Sequence, residues 1–266
     1  MNTITDITQR FPTIPLKETG KVRLMNRLDT KYVVPVPVLA ELLADAVPYY
    51  MIQLNMAGER QASYRTLYFD TPDCSMFHQH VLRRLVRDKV RIREYADSGE
   101  FFLEVKHKDN HGKTRKQRVE VNARFDDTRD IQWNQMLLDV RHDHHDRALY
   151  VPHAETITPH LMNEFQRITL VAKNMSERIT IDSGLRFNNL RTGQRAALTE
   201  VAIIEVKRDG LLHSPFHDIL LRHSIHNMGF SKYCIGSALT NNTLRTNNLK
   251  EKLLTISKMQ HSAIPS

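Results

Sequence analysis

Glycine and proline are scarce in this chain, nine and ten of 266 residues, too few for a linker-rich or collagen-like polymer. Only two cysteines are present, Cys74 and Cys234, far apart and in no metal-binding spacing. A reduced, cytosolic setting is the simplest reading, and nucleophilic thiol chemistry has no histidine partner in the sequence to support it. No apolar run is long enough to span a bilayer, and residues 1–15 lack the apolar core of a secretory signal, so a soluble protein is expected. Glycine-rich phosphate loops, the nucleophile elbow and the dinucleotide fingerprint are all missing. So are internal repeats and the helix-turn-helix and finger patterns of sequence-reading DNA-binding proteins. A phosphate-handling protein without a glycine-rich loop must grip phosphate with side chains.

Basic side chains are abundant. The net charge is +8 and the pI about 9.5, which favours an anionic partner: nucleic acid, a phosphate ester, polyphosphate or an acidic membrane surface. Many of the charges alternate with apolar residues in short runs: Arg27-Leu28-Asp29-Thr30-Lys31-Tyr32, Lys89-Val90-Arg91-Ile92-Arg93-Glu94, Phe102-Leu103-Glu104-Val105-Lys106 and Ile203-Ile204-Glu205-Val206-Lys207. Side chains two apart on a strand share a face, so Arg91 lies with Arg93, Glu104 with Lys106 and Glu205 with Lys207. Each such strand has one charged and one aliphatic face. If the charged faces converge, they line a cavity suited to a polyanion and a divalent metal; if not, they are the wet side of a sheet.

Arg91 and Arg93 present two forked guanidiniums to one region, a match for phosphate oxygens. The same pattern recurs at Lys31, Lys106, Arg118, Arg178 and Lys207. Lys116 and Arg118 share a face with Glu120, and Arg167 and Arg178 fall on the arms of one hairpin. The run Lys113–Arg118 also reads as an exposed basic patch, but it lacks the aromatics that would stack bases, and no specific nucleic acid is expected. Glu205, in an otherwise aliphatic strand, is a candidate metal ligand, with an ion pair to Lys207 or an arginine as the plain alternative. Glu104 holds the matching place in its own strand. Carboxylate with substrate phosphate is the donor set that magnesium or manganese prefers. The stretch His142-Asp143-His144-His145-Asp146 invites a zinc reading but fits no common ligand spacing, and a solvated loop explains it better.

Periodicity and turn residues organise the rest. Residues 1–20 read as an extended arm, 21–240 as one domain with a helical insertion at about 123–160, and 241–266 as a helical or disordered tail. A helix is expected from Thr71 as N-cap and Pro72 at the first position, and Phe230–Tyr233 reads as a loop. Long strands with few crossover helices predict an α+β protein, an antiparallel barrel-like sheet with helices outside.

The ordered series Arg27-x-Asp29-x-Lys31-Tyr32, Tyr68-Phe69-Asp70-Thr71, Lys89-Val90-Arg91-Ile92-Arg93, Phe102-Leu103-Glu104-Val105-Lys106, Arg178-Ile179-Thr180-Ile181-Asp182, Ile204-Glu205-Val206-Lys207 and Ser231-Lys232-Tyr233 resembles the VTC domain, the polyphosphate-polymerase branch of the triphosphate tunnel metalloenzymes. The resemblance covers about residues 20–240. It implies an antiparallel β-barrel tunnel, with Lys31, Arg91, Arg93, Lys106, Lys116 or Arg118, Arg167, Arg178 and Lys232 holding a nucleoside triphosphate and inorganic polyphosphate. Arg91, Arg93, Arg178 and Lys232 would act on the transferring group, and Glu205 would hold Mn2+ or Mg2+. The hydrolase branch opens with Glu-x-Glu-x-Lys; here Arg27-x-Asp29-x-Lys31 puts a cation at the first position, which favours the polymerase branch. Eukaryotic polymerase complexes carry regulatory and membrane segments beside this domain; this sequence shows neither, so the chain is expected to be cytoplasmic, and any membrane association would have to come through a membrane-protein partner. Hydrolysis of a triphosphate, or polyanion binding without catalysis, are the rival expectations.

Overall fold

Alternation of aliphatic with charged residues builds long strands, and these join into one sheet. The computed structural model describes residues 3–20, 27–125, 133–143, 151–210 and 212–262. Its main ladder runs β2 (Arg27–Pro35), β11 (Val201–Asp209), β9 (Glu177–Asn189), β8 (Thr158–Ala172), β4 (Ala62–Asp70), β5 (Arg87–Tyr95), β6 (Glu100–Lys108), β7 (Thr114–Glu120), each pair antiparallel. Short strands extend it: β1 (Thr13–Ile14) lies parallel to β3 (Tyr50–Gln53), β3 pairs with β8, and β10 (Arg195–Leu198) pairs with β9. The fold is α+β, as expected. Among the described residues β2 and β7, the ends of the ladder, share no backbone pairing, so the barrel expected from the sequence is an open sheet along that line.

Three apolar clusters explain how the sheet is dressed. On one outer flank, Tyr32, Val34, Ile168, Leu170, Ile179, Ile181, Ala202 and Ile204 pack under α1 (Ile4–Gln9), α3 (Val36–Ala46) and α6 (Pro215–Arg222). On the other, Leu67, Phe69, Val90, Ile92, Leu103 and Val105 pack with Trp133 and Leu137 of α5 (Trp133–Asp143). The residues alternating with these sit on the opposite, inner face. At one end that face is apolar, with Val33, Tyr64, Tyr68, Phe165, Leu185, Phe187, Val201 and Ile203 covered by α4 (Ser75–Val81), α7 (Lys232–Thr240) and α8 (Lys250–Ser262). The remainder of the inner face is charged.

The sheet curls around that charged surface. Burial, and then the Lys31 ammonium on β2, lower the pKa of Lys106 on β6, although five strands separate the two in the ladder. Asp29 and Glu205 act on the same lysine in the opposite sense.

Three local expectations change. Instead of an extended arm, residues 3–20 form α1, β1 and α2 (Leu16–Thr19), with Ile7 and Phe11 in the core under α3 and α6 and Ile14 packed on Val171. The α4 helix starts at Ser75, not Pro72, because the buried Asp70 carboxylate reaches past the strand end. It accepts the N–H groups of Met76 and Phe77 at 2.9 Å and that of Thr71 at 2.7 Å. The strand β9 runs unbroken from Glu177 to Asn189, with the register shift opposite β8 and the left-handed Gly184 (φ 61°) absorbing the local irregularity. Lys232, expected in a loop, is the first residue of α7, whose N-cap Ser231 accepts the Cys234 N–H.

Candidate functional site

Three carboxylates organise the charged inner face, each clasped by at least two cations. Glu104 on β6 is 2% exposed. It accepts Nε of Arg91 at 2.7 Å and Nζ of Lys116 at 2.6 Å, and Arg93 stands 4.0 Å away. Register makes this pairing: Arg91 lies directly across from Glu104 on one side and Arg118 on the other, with Lys116 one pleat along. Burial opposes ionisation of Glu104, but Arg91, Arg93 and Lys116 outweigh it and hold its pKa well below the usual carboxylate range. Burial, with Arg91 next, lowers the pKa of Arg93 itself.

The second centre is Asp182 on β9. Arg167 on β8 clamps it with two bonds of 2.6 and 2.8 Å, and Lys232 reaches it from the first turn of α7. Aromatic faces back these cations. Arg167 and Arg93 lie over Tyr64 at 5.1 and 5.6 Å, and Lys232 lies 4.3 Å from the Phe165 centroid. The third centre is Glu205 on β11, paired with Lys31 at 3.1 Å and Lys207 at 2.6 Å, while Lys207 also donates to Thr180 Oγ1 at 2.8 Å. Burial opposes the charge on Glu205 too, and Lys207 and Lys31 overcome it, so its pKa is strongly lowered.

The lysines feel the crowding. Burial depresses Lys207 and Lys232 to about 8 even though each has a carboxylate partner, and burial first, then the charges of Lys31, Lys106 and Arg91, brings Lys89 to about 8. Lys89 was absent from the expected set although it shares the parity of Arg91 and Arg93; its Nζ donates to Ser231 Oγ at 3.1 Å, joining β5 to the cap of α7. Lys207 and Asp182 stood in the charged runs, but nothing in a strand's own pattern tells which carboxylate its cations will meet.

The other expected residues are placed as follows. Arg118 stacks on Phe102 at 3.4 Å and Tyr95 at 5.1 Å. Arg178, on the inner parity of Thr180 and Asp182 but at the strand's end, donates to the Thr19 carbonyl at 2.5 Å. His142 and Asp143 end α5, and His144, His145 and Asp146 lie outside the described residues.

The donor set bears on a metal. Among the described residues no three His, Cys, Asp or Glu side chains come together as a cage. Glu104, Asp182 and Glu205 stand singly among cations. One carboxylate completed by oxygens from outside the protein is a magnesium or manganese arrangement, so a single carboxylate such as Glu205 is compatible with such an ion provided its two lysines are displaced. What the face does on its own is present guanidiniums and ammoniums, more than its carboxylates neutralise, to one concave space.

The model of the VTC domain family matches residues 26–241. Among solved structures, the putative adenylyl cyclase HpAC1 from Hippeastrum, for which a dominant triphosphatase activity is described, is 15% identical, with 81% of this chain and 97% of that chain covered at a TM-score of 0.44. The PH1819 protein of Pyrococcus horikoshii OT3 is 13% identical, with 80% and 98% covered at a TM-score of 0.42. No curated protein matches the chain. With the family model spanning most of its length, the chain belongs to the VTC domain family.

Proposed function

We propose that the protein transfers the γ-phosphoryl group of ATP to the end of an inorganic polyphosphate chain. The supporting observation is the concave set of cations from β2, β5, β6, β7, β8, β11 and α7, gathered around Glu104, Asp182 and Glu205. A terminal phosphate oxygen of the acceptor attacks the γ phosphorus. A new P–O–P linkage forms, the bond to the β–γ bridging oxygen breaks, and the electron pair leaves on ADP. No protein nucleophile is needed; the protein positions the partners in line and compensates charge on the moving oxygens.

Arg91, Arg93 and Lys232 face the transferring group, and Lys31, Lys106, Lys116, Arg118 and Arg167 hold the flanking phosphates. Arg178, tied to Thr19, acts at the margin of the same set. The cation–π partners Tyr64, Phe165 and Phe102 keep the guanidiniums and ammonium in place as their carboxylate partners exchange for phosphate. A divalent ion, Mn2+ or Mg2+, would be held by Glu205 and would neutralise charge shared by the β and γ phosphates.

The test is incubation of purified protein with ATP and Mn2+ and resolution of the products. Long-chain polyphosphate with a matching amount of ADP is expected. Orthophosphate without chain growth would transfer the same site to hydrolysis, and bound triphosphate without turnover would leave a polyanion-binding module.

A further inference from the structure

The connection from α4 to β5 carries a patch that phosphate chemistry does not explain. Leu82, Arg83, Arg84, Leu85 and Val86 are five consecutive exposed residues, with Leu82, Leu85 and Val86 at 53, 62 and 49%. Three large aliphatic side chains standing in water on one short segment is a costly arrangement. The segment is nonetheless built. Arg83 and Arg84 donate their N–H groups back to His80 and Gln79 at 3.2 and 2.9 Å, and Arg87 Nη1 donates to the Arg84 carbonyl at 2.5 Å. Arg83 takes the left-handed conformation, φ 53°, that a non-glycine residue adopts only when its surroundings impose it.

Basic charge predominates around the patch, with Asp29, which lines the same cleft as Arg83, and Glu251, beside Lys252, as nearby acids. From Cys74 to Arg87 the chain has no acidic residue, and Asp88, which follows, is bonded to His107 at 2.7 Å. Arg87 pairs with Lys108, so the β6–β7 turn lies at the same end of the sheet. That turn adds Lys108, Lys113 and Arg115, and its single acid, Asp109, is bonded to the backbone N–H groups of His111 and Lys113. Lys252 of α8 stands close enough for Arg83 to help lower its pKa, after burial.

We propose that this ledge docks on an anionic lipid surface, the arginines against headgroup phosphates and Leu82, Leu85 and Val86 in the acyl boundary. A polyphosphate or nucleic acid would gain from the arginines and nothing from the leucines. A lipid surface uses both, which is the signature of an interfacial anchor. The chain needs no spanning segment for this, and no described helix is long and apolar enough to be one.

Vesicle co-sedimentation tests it, with full-length protein on phosphatidylcholine alone and on phosphatidylcholine mixed with phosphatidylglycerol. Binding is expected only to the mixed vesicles. Arg83→Gln together with Arg84→Gln should weaken it about 30-fold, since each basic residue at a charged surface contributes about fivefold. Leu85→Ser should weaken it on the order of tenfold, with thermal stability unchanged because the residue is exposed. Leu85→Trp should bind and show a blue-shifted emission on the mixed vesicles, over the constant signal of buried Trp133. Absence of binding to anionic vesicles at low salt overturns the proposal. So does a Leu85→Ser variant that binds like the wild type, which would make the patch a plain polyanion contact. Loss of polyphosphate affinity in the double arginine variant, or self-association abolished by Leu85→Ser, would assign the ledge to the polyphosphate chain or to a second copy instead.

Discussion

The Lys31 ammonium lies 3.1 Å from the Glu205 carboxylate, on adjacent strands in direct register. With Lys207 at 2.6 Å on the other side, the residue proposed to hold a metal is held by two lysines. Phosphate and metal arriving together would exchange these partners: the lysines move to phosphate and the carboxylate moves to the ion. Glu205→Ala is therefore expected to lower kcat far more than it weakens triphosphate binding, since the released lysines can still grip the anion. Kinetics across an Mn2+ titration, beside calorimetric binding of tripolyphosphate, check this; a variant with unchanged kcat would remove Glu205 from the metal role.

Glu104 makes the opposite case. It is buried against Arg91, Arg93 and Lys116, and removing one member of a buried ionic cluster typically costs about 3–5 kcal/mol. Glu104→Ala should lower the thermal midpoint clearly, and tripolyphosphate should restore more stability to the variant than it adds to the wild type. Differential scanning fluorimetry with and without the anion reads both effects.

How much of this site was legible in the sequence follows from the strand's period. Parity alone gathers Lys31, Arg91, Arg93, Lys106, Glu104, Glu205 and Lys207 onto inner faces, because a two-residue alternation decides which side each occupies. Which cation meets which carboxylate is set by ladder order, so the clamp of Arg167 on Asp182 waits on β8 pairing with β9. Lys232 entered only through the family motif; no periodicity marks a helix start capped by Ser231. Local rules favour Thr71 as the cap of a helix opening at Pro72; Thr71 Oγ1 does accept a helix N–H, but that of Ser75 at 2.9 Å, while Asp70 at the end of β4 takes those of Met76 and Phe77, so α4 starts three residues later. Open or closed geometry at the β2 and β7 edges leaves no trace in strand patterning at all.

The lysine shifts give a pH signature. Lys89, Lys207 and Lys232 hold their protons only below about 8, whereas an ordinary lysine does so to 10.5. Between those values the folded protein carries fewer protons than the unfolded chain, so these groups add stability as pH rises through the window. Anion affinity moves the other way, falling from about pH 8, and binding there should take up protons. Tripolyphosphate calorimetry in buffers of different ionisation enthalpy measures the uptake; affinity flat to pH 10 would contradict the assignment.

Gly236 fixes how closely α7 approaches the sheet. A Cβ there would stand 2.4 Å from Phe187 Cδ1 and 2.8 Å from Leu161 Cδ2. Gly236→Ala is expected to destabilise the fold by about 1–3 kcal/mol through overpacking, and to weaken anion binding by displacing Lys232 at the head of the same helix. Urea midpoints and tripolyphosphate affinity together would show it; a variant as stable as the wild type would mean the helix shifts freely.

The most direct test of phosphoryl transfer follows the γ phosphorus. ATP labelled there is mixed with unlabelled polyphosphate, Mn2+ and the protein, and the label is tracked alongside ADP. The expected result is label at the ends of long chains, one for each ADP released, and none of it in the Arg91→Ala, Arg93→Ala double variant. Label appearing only as orthophosphate, or transfer undiminished in that variant, would contradict the account.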